Sequence, residues 1–132
     1  MSAIVEIDLN ECLPGWGENC LVVQSSDGNL NIEVFYDGGS GSEETRILIF
    51  SRYSFYSVGS FPGVSSLAHE YDANFYNTGC VVRVQSSELS VDWKKHWEAS
   101  GLNRNCNHYM IFWGAENKVV HVIAENVEMS TL

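Results

Sequence analysis

The sequence predicts an α+β domain, a mostly antiparallel β-sheet of seven or eight strands with one amphipathic helix packed on it. Three observations predict it. Short apolar or alternating runs recur along the 132 residues, separated by clusters of Gly, Asn, Asp and Ser. Only residues 87–100 carry apolar side chains at convincing helical spacing. That helix arrives late, among strands, instead of following each strand as βαβ units require.

The elements follow in order. Residues 3–9 alternate, with Ala3, Val5, Ile7 and Leu9 set against Ile4, Glu6 and Asp8, as in a half-buried strand. Pro14-Gly15-Trp16-Gly17 is a turn signal holding one bulky anchor. Residues 20–24 and 30–36 read as two strands joined by Ser25-Ser26-Asp27-Gly28-Asn29, where Gly supplies the positive φ a hairpin needs. In the second strand Leu30, Ile32, Val34 and Tyr36 share a face, and Asn31, Glu33 and Phe35 take the other. Residues 37–44, rich in Gly and Ser, are expected to form a mobile loop between strands of one sheet. Residues 45–50 are apolar on both faces, as a central strand is.

Residues 52–58 are β-prone and aromatic, and Phe61-Pro62-Gly63 ends the run. A short helical turn is expected at 64–72 and another strand at 79–85. In the helix, Ser87 or Ser90 can cap the start, Glu88 and Asp92 favour the positive end, and Leu89, Trp93 and Trp97 line one face to pack on the sheet. Gly101 stops it. Residues 107–113 and 118–124 flank Gly114-Ala115-Glu116-Asn117 as a hairpin, with 125–129 extending its second strand. The whole reads as a single domain, 1–132.

Charge is divided unevenly. Residues 1–44 carry Glu6, Asp8, Glu11, Glu18, Asp27, Glu33, Asp37, Glu43 and Glu44 and no Lys or Arg. The remaining residues nearly cancel, so the net −10 falls as −9 and −1. Nucleic acid and anionic membranes attract Lys and Arg, so neither is expected as a direct partner. A cationic protein is expected instead, with these nine acids as candidate contacts.

The four cysteines, Cys12, Cys20, Cys80 and Cys106, show no C-x-x-C spacing. No basic, apolar leader opens the chain, so a cytoplasmic location and free thiols are expected. No apolar run reaches the length of a membrane span. H-E-x-x-H, phosphate-loop, EF-hand and G-x-S-x-G motifs are all missing. Neither a metal site nor a cofactor is expected. Opposing residues 113 and 119 in the last hairpin sets His108 and His121 about three positions apart, roughly 10 Å, too far to act together. Cys106 and His108, two apart on one strand face, make the best candidate dyad. Without an elbow or an oxyanion-hole motif beside them, no catalytic residue is expected.

The segment from His108 to Glu125, His-Tyr-Met-Ile-Phe-Trp-Gly-Ala-Glu-Asn-Lys-Val-Val-His-Val-Ile-Ala-Glu, resembles the closing hairpin of small bacterial immunity proteins, the cytosolic antidotes of contact-dependent and related polymorphic toxins. The likeness extends back to Val81 through the helix with Trp93 and Trp97. It implies a stoichiometric inhibitor of a basic, nuclease-like toxin, and it assigns no residue a role. Two alternatives stand beside it. One is an acidic phage-type inhibitor mimicking nucleic acid. The other is a small ligand-binding or enzymatic domain with a pocket near Cys106 and His108.

Overall fold

The computed structural model describes residues 2–9, 18–38, 41–60, 80–116 and 118–131. The Pro14-Gly15-Trp16-Gly17 turn, the break at 61–63, the helical turn at 64–72, Glu11 and Cys12 lie outside these. The described residues form nine strands, one α-helix and a short 3-10 turn at Gly114–Glu116, all strand pairs antiparallel. The predicted class is met, but the strands divide between two sheets instead of one.

The first sheet begins with β2 (Glu18–Ser26) and β3 (Asn29–Asp37), joined at Asp27 and Gly28 with φ of 53° and 81°. Two consecutive left-handed residues match the twist of a two-residue hairpin. β4 (Glu43–Ser51) pairs with β3 and is central, as its two apolar faces predict. The sheet is completed by β9 (Asn126–Thr131), giving the order β2-β3-β4-β9. Residues 125–129 therefore do not prolong the hairpin strand. The chain turns at Glu125, whose amide donates to the Ser51 carbonyl at 3.0 Å, and crosses to the other sheet.

The second sheet has the order β1-β6-β7-β8-β5. Its strands are β1 (Ser2–Asp8), β5 (Phe55–Ser60), β6 (Cys80–Gln85), β7 (Asn107–Trp113) and β8 (Lys118–Ala124). A bulge between Val5 and Ile7 breaks the simple alternation of β1. Ile7 packs into the core shared by the sheets, whereas Val5 packs with the cluster on the opposite side.

The shared core is built by alternation. Leu30, Ile32, Val34 and Tyr36 of β3 and Leu48 and Phe50 of β4 are fully buried. They meet Val81, Tyr109, Ile111, Trp113, Val120, Val122 and Ala124 of the second sheet. Edge-to-face rings lock the layers together, Tyr36 on Trp113 at 5.3 Å and Phe50 on Tyr109 at 5.6 Å. The second sheet is buried on its far side too, by Cys80, Val82, Val84, Met110, Phe112 and Val119.

Helix α1 (Glu88–Ala99) lies between β6 and β7 in the chain, capped by Ser87, whose Oγ accepts from the Ser90 amide. Leu89, Trp93 and Trp97 are half-buried, not buried. Trp97 donates its indole N–H to Ser54 Oγ at 2.7 Å, and Trp93 stacks on Phe55.

Candidate functional site

The structure separates the eight predicted acids among its described residues; the ninth, Glu11, lies outside them. Glu6 ion-pairs with Arg83, and Asp8 accepts the Cys80 thiol, both on the second sheet. Asp27 sits in the β2–β3 turn. Glu44 pairs across from Tyr36, off the face that carries its neighbours, and Glu18 lies on β2. Three acids do come together. Glu33, Asp37 and Glu43 lie on the outer face of the first sheet, where Asp37 opposes Glu43 directly. Asn19 Nδ2 donates to both carboxylates, at 2.9 and 2.8 Å, and holds the two like charges side by side.

A fourth acid, Glu128, joins them from β9 by pairing opposite Ile49. It lies outside the acidic first third, so charge counting missed it; only the sheet switch at Glu125 brings it there. Between the acids lie Val22, 42% exposed, and half-buried Phe35, Ile47 and Ile49. The register rows of this face contain no Lys or Arg among the described residues. Glu33 stands among the apolar side chains, between Val22 and Ile47 in its row, and Asp37, Glu43 and Glu128 border them, a surface suited to a partner with the opposite pattern.

The second constellation lies on the far side of the other sheet, in a strand register that differs from the one the sequence predicts. Trp113 pairs with Lys118, one residue from the expected register, because only residues 114–117 connect the strands. His108 therefore opposes Ile123, and His121 opposes Met110. A one-residue slip exchanges the faces of a strand. The two histidines become diagonal neighbours on one face, with His108 Nε2 2.9 Å from His121 Nδ1.

Ser87 completes the row. Val84 of β6 pairs with His108, which sets the start of α1, three residues further on, against the imidazole. Ser87 Oγ lies 2.7 Å from His108 Nδ1. Ser87 and His108 are 3% and 6% exposed. One proton arrangement that satisfies both contacts has the Ser87 hydroxyl donating to His108 Nδ1 and His108 Nε2–H donating to His121 Nδ1. Burial, with the neighbouring His121, lowers the His108 pKa to about 4, and burial lowers that of His121.

The Cys106–His108 dyad does not form, since His108 is occupied by Ser87 and His121. Cys106 is buried, its thiol 3.8 Å from the Arg104 carbonyl, and desolvation pushes its pKa up, away from the reactive thiolate. Ser87 was legible as a cap but not as a partner of His108; no sequence spacing links residues that only the β6–β7 pairing brings together.

Among the described residues no group of three or more His, Cys, Asp or Glu is arranged to hold a metal ion. No described helix is long and apolar enough to cross a membrane. No protein-family model, curated protein or solved structure matches the chain.

Proposed function

We propose that the chain is an immunity-type protein that binds and neutralises a basic, nuclease-like toxin in the cytoplasm, using the outer face of the β2-β3-β4-β9 sheet. The observation that carries this reading is the composition of that face. Glu33 stands among Val22, Phe35, Ile47 and Ile49, and Asp37, Glu43 and Glu128 border them, with no base in the register rows among the described residues. The carboxylates steer a cationic surface into encounter, and the apolar side chains supply area to bury once it arrives. Inhibition is by occupancy: the carboxylates stand where the toxin's phosphate-bearing substrate would bind. The resemblance of the last hairpin to immunity proteins supports the same reading. A phage-type inhibitor mimicking nucleic acid would use this face in the same way against a host protein.

The test is association kinetics at two ionic strengths, with the product of a neighbouring toxin-like gene as the partner. Glu33→Lys, Asp37→Lys and Glu43→Lys combined should slow association at least tenfold and flatten its salt dependence. Lys substitutions at Glu6 and Asp27, off this face, should change the rate far less. A triple variant as fast and as salt-sensitive as wild type removes the face from the mechanism.

A further inference from the structure

We propose that Ser87 is a nucleophile, with His108 as its general base and His121 as the group that orients that base, and that the trio hydrolyses small neutral or cationic carboxylic esters. The site lies on the opposite sheet from the acidic face and does not rest on the binding role assigned to that face.

Four observations converge on it. A nucleophile, a base and an orienter stand in hydrogen-bonded sequence at 2.7 and 2.9 Å, the arrangement by which a hydroxyl is activated. Ser86 holds a φ of 55° between strand and helix, which makes the corner sharp and turns Ser87 onto the first turn of α1. The Glu88 and Leu89 amides open a twelve-residue helix and have no partner within it, so they can donate to an oxyanion formed at Ser87. A depression of about 310 Å³ is lined by Ser86, Ser87, Glu88, Leu89 and His108, and a larger neighbouring one by Ser86, Ser87, Glu88, Val91, Asp92 and Lys95. The volume admits a small acyl group. Glu88 lines both depressions and Lys95 balances Asp92 in the larger one, so the net charge of the lining is negative and disfavours anionic substrates.

The step balances without a further reagent. Ser87 Oγ bonds to the ester carbonyl carbon as its proton passes to His108 Nδ1, and the carbonyl π pair moves onto oxygen. Collapse breaks the bond to the leaving alkoxide, which takes the proton from His108. Water then attacks the acyl-serine, its proton passing through His108 back to Ser87 Oγ. Throughout, His108 Nε2–H stays on His121 Nδ1, which holds the ring with Nδ1 toward the serine. A base as weak as His108 is uncharged at neutral pH, as the step requires, and restricts the reaction to esters with good leaving groups.

The experiment uses the full chain with p-nitrophenyl acetate and with a small fluorophosphonate, locating the adduct by peptide mass spectrometry. Wild type should carry the phosphonyl group on Ser87 and release p-nitrophenol at least tenfold faster than Ser87→Asn. That variant keeps a cap oxygen for the Ser90 amide, so circular dichroism should show the helix intact. His108→Gln should abolish labelling. His121→Gln keeps an acceptor but removes the neighbouring imidazole, so it should move the midpoint of the pH–rate profile upward, a change that a purely structural role would not produce. Wild type unlabelled at Ser87 overturns the proposal, even where a variant fails to fold. So does hydrolysis equal to that of folded Ser87→Asn, or label confined to other residues. An unmoved profile in His121→Gln removes His121 from the trio.

Discussion

His108 is a buried titratable group, and its effect on stability has a definite sign. Its pKa falls from 6.5 to about 4 on folding, and that of His121 moves the same way. The unfolded chain therefore takes up a proton near pH 6.5 that the folded chain refuses until about pH 4. The contribution is complete above roughly pH 6.5 and is lost as the pH falls toward 4. For His108 alone it amounts to about 3 kcal/mol at most, taking 1.36 kcal/mol per pKa unit. Urea unfolding at pH 7 and pH 4.5 should show a smaller drop in His108→Gln than in wild type. Equal drops would mean that the imidazole titrates as it does in water.

Among the elements, α1 is held by its side chains more than by deep burial, since none of its residues is buried. Trp97 spans the junction, donating to Ser54 Oγ while the Arg104 guanidinium lies 4.2 Å from its ring centroid. Trp97→Phe should cost about 1 kcal/mol for the lost indole hydrogen bond, and Trp97→Ala about 2–3 kcal/mol, below the 3–5 kcal/mol of a fully buried tryptophan. Thermal or urea unfolding of both variants checks this, and unchanged stability in Trp97→Phe would show that the indole N–H contributes nothing. The helix itself was legible because cap, acidic first turn and glycine stop agree at 87–101. The Asp27-Gly28 hairpin and the buried face of β3 were legible for the same reason, local chemistry matching local geometry. The β1 bulge and the one-residue register of β7–β8 were not, because register depends on turn length and on packing across the sheets. The candidate site suffered most from this, since a single step of register separates two distant imidazoles from a bonded pair.

At the scale of the molecule, the asymmetry of charge along the chain becomes a division in space that differs from the one in sequence. Glu6 and Asp8 go to one sheet, Glu33, Asp37 and Glu43 to the other, and Glu128 is recruited from the far end. No local pattern reveals that β9 leaves its neighbour to pair with β4. The thiols follow the same architecture. Cys20 is exposed, whereas Cys80 and Cys106 are buried, and none of the three is in a disulfide. Native alkylation should label Cys20 within minutes and leave Cys80 and Cys106 protected until denaturant is added. Labelling of Cys106 as fast as Cys20 would show that the end of the sheet beneath α1 opens readily.

The return of β9 to the first sheet also has a kinetic consequence. Arg46 pairs with Thr131 and Ser51 with Asn126, so this junction joins segments about 80 residues apart in the chain. The β2–β3–β4 meander is local and is expected to form first, leaving the outer edge of β4 bare until the last strand arrives. During that interval Ile47 and Ile49 lie beside an unpaired backbone, the circumstance in which two copies of a chain pair with each other. Refolding should therefore be clean when dilute and lossy when concentrated.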